Sequence, residues 1–258
     1  MTHATVERRD RVAVVTLNRP EALNAISGAV ADDLRDAFSA VAADPEAWVM
    51  VLAAAGDKAF CVGADLKERA AFNDEEWPAN RHHIHDLFAA LRDVPQPTIA
   101  SVFGFALGGG FELALSCDLI VAADDARMGL TEVRVGIIPG GGGTQMLARK
   151  AGPAHAKDLI FTARQITAEE GRAMGVVNRV VPRADLEAET LALANAICAN
   201  SPLAIREAKA AIDRGLEADI AEGIRIEDGA WRRAVATADR AEGIAAFVQK
   251  REPRWSGD

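Results

Sequence analysis

Four apolar runs, Val12–Leu17, Ala47–Ala54, Thr98–Phe103 and Leu119–Ala122, constrain this chain most, because helical patterns separate each from the next. Pro20, just after the first run, stops it as a strand. In Gly28–Ala43 the apolar residues Val30, Leu34, Ala37, Phe38 and Val41 recur at helical spacing, and Ser27 is placed to cap the helix. Ala79–Leu91 reads as a second helix, ended by Pro95-Gln96-Pro97, and Gly110–Cys117 as a third. Arg127–Gly129 adds a short strand. Strands that alternate with helices form βαβ units, so the expected class is α/β with a sheet covered on its faces.

After Gly152 the pattern changes. Pro153–Thr162, Ala168–Met174, Ala184–Ala199, Pro202–Arg214, Leu216–Val235 and Arg240–Gln249 read as helices, and only Val176–Val181 keeps a strand pattern. The many alanines in these helices point to close packing on the sheet or on another subunit.

Charge and composition narrow the functions. With 258 residues the chain can bury a large core. Its 38 acidic and 29 basic residues leave a net charge of −9, the wrong sign for a protein whose main partner is a nucleic-acid backbone. The longest apolar stretches, such as Ala47–Ala55 and Ile99–Phe111, fall short of the ~20 residues of a membrane helix. Residues 1–10 are polar and lack the apolar centre of a secretory leader. Cys61, Cys117 and Cys198 are too few and too scattered for a disulfide framework or a zinc site, which fits a reducing cytoplasm.

Three segments break the ordinary pattern. In Phe60–Glu68, Gly63 followed by a small residue lets main-chain N–H groups approach a ligand. In Gly104–Glu112, three glycines precede a helix, leaving the Gly109 N–H free at its positive end. Neither a dinucleotide fingerprint nor a phosphate loop is spelled there. Glu112 follows among apolar neighbours, where a buried carboxylate is costly unless it is used. In Met128–Thr144, Glu132 sits in an apolar connection before the glycine run 140–143. Each segment alone also reads as a plain turn, a dipole-stabilising charge or a surface loop. Together they supply an acid/base pair and an oxyanion hole, equipment for chemistry beside a polarised carbonyl.

In order and spacing, Phe60–Glu68, Ala106–Glu112 and Glu132–Gln145 resemble the signature segments of the enoyl-CoA hydratase/isomerase (crotonase) family. The likeness runs from about Val12 to Phe247–Trp255. Over Cys61–Ala70 and Met128–Gln145 it is closest to the subgroup that includes methylglutaconyl-CoA hydratase. It implies a ββα superhelix of two near-perpendicular sheets over residues 1–195, followed by a helical trimerisation region over 196–258. The implied assembly is a homotrimer or a hexamer built as a dimer of trimers.

The same resemblance implies roles for residues. The N–H groups of Ala64 and Gly109 would hold the thioester oxygen, and Glu112 and Glu132 would orient one water between them. Val62, Ala64, Asp65, Leu66, Lys67, Gly109 and Gly140 would line the path of the acyl group and coenzyme A. Lys58, Lys67 and Lys250 are candidate partners for the coenzyme A phosphates. The substrate would be an acyl-CoA thioester, with no cofactor beyond the coenzyme A it carries and no metal.

Competing functions are weaker. Isomerases of the family manage with one carboxylate, and its dehalogenases use an Asp and a His, so two glutamates favour hydration. RNA binding through a lysine-rich helix does not fit Ser27–Asp44, whose only cation is Arg35 against four aspartates. A scaffold without activity has no reason to keep both glutamates. His82, His83 and His85 are adjacent on a helix, but only His82 and His85 share a face and no third ligand is near. Phe72, Trp77 and His82 are candidates for shaping the acyl pocket, whereas Phe88 and Leu91 read as core. A carboxylated substrate would need a cation there, and Arg69 and Arg81 are near in sequence.

Overall fold

In the computed structural model, which describes residues 2–258, the apolar runs pair as one sheet. The chain begins with strands β1 (Ala4–Arg9) and β2 (Val12–Leu17), helix α1 (Gly28–Ala43), and strands β3 (Val49–Ala54) and β4 (Ala59–Cys61). Helices α2 (Leu66–Arg69) and α3 (Glu76–Arg92) follow, then β5 (Thr98–Val102), β6 (Phe105–Leu107), α4 (Gly109–Ser116), β7 (Leu119–Ala123) and β8 (Arg127–Gly129). A 3-10 turn over Glu132–Val135 leads to α5 (Gly143–Ala151), α6 (Pro153–Thr162), β9 (Ile166–Thr167), α7 (Ala168–Ala173) and β10 (Arg179–Val181). Helices α8 (Leu186–Cys198), α9 (Pro202–Gly215), α10 (Ile220–Val235) and α11 (Ala238–Gln249) complete it.

The larger sheet has the order β1-β2-β3-β5-β7-β10, parallel except for β1. Its inner strands β2, β3, β5 and β7 are mostly apolar on both faces because both are covered. Ala13, Val15 and Leu17 pack into the main core with α1 residues Leu34 and Phe38. Val12, Val14, Val49 and Val51 point the other way, into a second cluster closed by Leu186 and Ala194 of α8. The expected division at 195/196 thus falls inside a helix that packs on the sheet. The smaller sheet, β4-β6-β8-β9, consists of strands of two or three residues.

Ser27 caps α1 as expected, its Oγ accepting the Val30 N–H at 3.3 Å. Other expectations need correction. β1 is a strand although its sequence is mostly polar and charged, because it is an exposed edge paired antiparallel to β2. β4, β6 and β9 are too short to carry a period of their own and exist through their partners. Val176–Val181 narrows to Arg179–Val181, and the helix expected from Leu216 starts at Ile220, where Asp219 caps it. The helices after α8 hold to the core partly by charge: Lys209 of α9 donates to Asp118 at 2.8 Å and to the Gln96 carbonyl at 3.0 Å. Among the described residues, no helix is long and apolar enough to cross a membrane.

Candidate active site

The three unusual segments converge on one cavity of about 720 Å³. Ala64 reaches it from the turn after β4. Backbone bonds pin that turn on both sides, Ile26 N–H to the Gly63 carbonyl at 2.7 Å and Asp65 N–H to the Ile26 carbonyl at 2.9 Å. The Ala64 N–H between them has no acceptor among the described residues, and neither has the Gly109 N–H at the first residue of α4. The two amides are neighbours, since a Cβ on Gly63 would lie 3.0 Å from Gly109 N and one on Gly109 would lie 3.8 Å from Ala64 N.

Glu112 sits one turn into α4 and is only 3% exposed. Its Oε1 accepts the N–H of Gly141 at 2.7 Å and of Gly143 at 2.8 Å, so the glycine run serves to hold this carboxylate. Burial pushes its pKa above the usual carboxyl value, and the N–H groups of Gly143, Gly141 and Gly140 pull it back. Arg92 donates to the Gly141 carbonyl at 3.1 Å and Arg81 to that of Gly140, bracing the loop from α3.

Glu132 approaches from the 3-10 turn. Its Oε1 lies 3.1 Å from where a Cβ would stand on Gly108, whose φ of +52° also suits glycine alone. Its Oε2 is buried and has no hydrogen-bond partner among the described residues. Burial first, and then the charge of Glu112, push its pKa up to about 7, against a smaller pull from Arg69. The two carboxyls thus share a cavity but not an environment. Burial raises the pKa of both, but one oxygen of Glu112 accepts two glycine amides whereas Glu132 keeps a buried oxygen without a partner among the described residues.

Of the expected lining residues, Val62, Ala64, Leu66, Gly109 and Gly140 do line the cavity. Asp65 and Lys67 stand outside its wall. The Asp65 carboxylate caps α2 and pairs with Arg19 at 2.7 Å, and Lys67 is exposed. Lys58 and Lys250 are exposed and do not line the cavity either. One face of α3 supplies a wall through Trp77, Asn80, Arg81, Ile84 and Phe88. Phe88 is core and wall at once, with 1% exposure. Phe72 meets Trp77 edge-on at 6.0 Å from outside the cavity, and His82 is exposed. His83 instead bonds the Gly28 carbonyl at 3.1 Å, and no group of three His, Cys, Asp or Glu could hold a metal among the described residues.

Sequence reasoning missed Asn80, Ile84 and Arg92. The helical spacing of Trp77, Asn80, Ile84 and Phe88 was the available signal for the first two. The bond from Arg92 to a carbonyl 49 residues away left none.

The sequence pattern of the enoyl-CoA hydratase/isomerase family matches residues 7–258. The chain belongs to that family. It is 39% identical to the short-chain-enoyl-CoA hydratase of Clostridium acetobutylicum, over 98% of this chain and 97% of that one. It is also 39% identical to the mitochondrial methylglutaconyl-CoA hydratase of Mus musculus, over 99% of this chain and 82% of that one. The crystal structure of an enoyl-CoA hydratase from Bacillus anthracis superposes with a TM-score of 0.97 at 40% identity, covering 99% of this chain and all of that one. The crotonase fold of this family member, two sheets followed by C-terminal helices, is therefore as expected.

Proposed function

We propose that this family member is an enoyl-CoA hydratase that adds water across the α,β double bond of a 2-enoyl-CoA thioester. The observation that carries the reading is the pairing of two free amides, Ala64 and Gly109, with two buried carboxyls, Glu112 held by glycine amides and Glu132 with an unpartnered oxygen, in one cavity.

In this reading the thioester oxygen accepts both N–H groups, which stabilise the negative charge it gains. Glu112, whose carboxylate accepts two glycine amides, takes a proton from water as the water oxygen bonds to Cβ. The π electrons move toward the thioester and form an enolate. Glu132, partly protonated at neutral pH because its pKa is raised to about 7, then delivers its proton to Cα. Proton exchange with solvent returns both carboxyls to their starting state. The step is redox-neutral, so no cofactor enters it, and coenzyme A is simply the substrate's handle. Val62, Leu66 and Gly140 support the reading as walls for that handle and the acyl group.

The expected trimer would form through apolar side chains that the C-terminal helices leave exposed, including Ile220 at 81% and Phe247 at 85%. Light scattering of the purified chain tests it, and a monomer would refute it. For the activity, loss of the ultraviolet absorbance of crotonyl-CoA measures hydration directly. A folded wild-type protein that leaves crotonyl-CoA and longer 2-enoyl-CoA thioesters unchanged would overturn the assignment.

A further inference from the structure

Hydration uses the amides and the two glutamates of the cavity but leaves a conspicuous cation unemployed. Arg69, at the end of α2, lines the wall with its guanidinium half-buried, 5.8 Å from the centre of the Trp77 ring. Among the described residues it has neither a salt bridge nor a hydrogen-bond acceptor. The adjacent Glu68 acts on it through space but forms no salt bridge with it, and its carboxylate accepts the Gly28 N–H at 3.1 and 3.2 Å. Arg81 lines the same cavity from α3 and bonds a main-chain carbonyl, that of Gly140, rather than an anion.

Half-burial without any acceptor sets Arg69 apart. Half-buried Arg92 and Arg206 also lack a carboxylate but donate to main-chain carbonyls, and half-buried Arg19 and Arg183 each have a carboxylate partner. A guanidinium taken partly out of water without an anion is costly, and burial does hold the Arg69 pKa below its usual value. Glu68 first, then Glu112 and Glu132, act on it only through space. The planar fork of an arginine matches a carboxylate in two parallel hydrogen bonds.

Position indicates which carboxylate. With the thioester oxygen at Ala64 and Gly109 and the reacting carbons beside the glutamates, the rest of the acyl chain has the wall of Arg69, Trp77, Arg81, Ile84 and Phe88 to run along. We propose that Arg69, seconded by Arg81, is a subsite for a carboxylate at the far end of the acyl group, so that the preferred substrates are 2-enoyl-CoA thioesters of dicarboxylic acids. This rests on the hydratase reading of the same cavity for the orientation of the acyl chain.

Binding and turnover test the two readings separately. Glutaryl-CoA and pentanoyl-CoA have the same chain length and differ by a terminal carboxylate against a methyl group. By titration calorimetry the wild type should bind the first at least about tenfold more tightly. Arg69→Met should remove most of that preference, Arg69→Lys should keep part of it, and Arg81→Met should narrow it. Equal wild-type affinities would overturn the subsite. So would an Arg69→Met variant that binds both ligands equally more weakly, which would put the guanidinium on the phosphates the two ligands share. In turnover, the ratio of kcat/KM for glutaconyl-CoA over pent-2-enoyl-CoA should fall by about tenfold or more in Arg69→Met. A wild type that binds with the expected preference but hydrates neither would refute the hydratase reading and leave the subsite standing.

Discussion

The Oε1 atom of Glu112 accepts the N–H of Gly141 at 2.7 Å, across 29 residues of sequence. The N–H of Gly143 reaches the same oxygen at 2.8 Å. A helix and a glycine-rich loop are thereby locked to one carboxylate, and the loop has little freedom to hold it differently. A Cβ on Gly143 would lie 2.9 Å from Oε1 and 3.0 Å from a methyl of the buried Leu130. Gly143→Ala should displace the carboxyl, with a loss of about 10²-fold in kcat for crotonyl-CoA, the cost of misplacing a catalytic group by about 1 Å. Steady-state kinetics check this, and near wild-type kcat would detach the loop from the mechanism.

Glu132 should set an upper pH limit on activity. Its pKa of about 7 means that a proton donor at this position is lost as pH rises through 7, so kcat/KM should decline there. Glu132→Gln should lower kcat by about 10²–10⁴-fold and abolish that limb of the profile. A profile that rises through pH 7 would instead make Glu132 the base.

The same carboxyl ties stability to pH. Its folded pKa lies above its unfolded value near 4.5, so the folded state holds a proton that the unfolded state releases between those two values. Stability should therefore fall as pH rises across that window. Glu132→Gln should melt higher than wild type at pH 8 and nearly with it at pH 5, by about 2–4 °C for each kcal/mol relieved. Calorimetric melting at the two pH values decides, and identical differences at both would refute a raised pKa.

The amides of Ala64 and Gly109 cannot be removed by changing their own side chains, but Gly63 offers access to them. Its φ is +90°, and a Cβ there would lie 2.8 Å from the Leu107 carbonyl oxygen and 3.0 Å from Gly109 N. Gly63→Ala should spread the two amides and lower kcat by about 10²–10³-fold, as expected when one oxyanion donor is lost. The discriminating result is a kcat effect much larger than the KM effect, because the interaction strengthens only as charge develops.

Asp65 gives a structural contrast to these residues. It caps α2 through bonds to the N–H groups of Lys67 at 3.0 Å and Glu68 at 3.2 Å while paired with Arg19. Asp65→Ala should cost about 1 kcal/mol of stability and loosen the short helix that carries Leu66 and Arg69. The expected signature is a higher KM with kcat reduced less, measured together with the melting temperature.

Most of the architecture was legible because burial leaves a period in the sequence. Val12–Leu17 and Gly28–Ala43 announce a strand and a helix through which residues they bury. Phe105–Leu107 carries no such mark, since a three-residue strand is defined by its partner β8 and not by a pattern of its own. Asp65 and Lys67 share a motif with Ala64, but only the folded chain places them outside the cavity wall.

Local pattern alone determined that this chain builds a covered sheet, that glycines stand before α4 and α5, and that two glutamates lie in apolar surroundings. Tertiary structure alone decided that those glutamates share one cavity, that glycine amides steady one while the other is left with an unpartnered oxygen, and that Arg69 lines the cavity with no carboxylate paired to it. The reason is physical. Periodicity records which face of a segment is buried, whereas the charge state of a group depends on how much water is excluded by segments remote in sequence and on which donors they bring within reach.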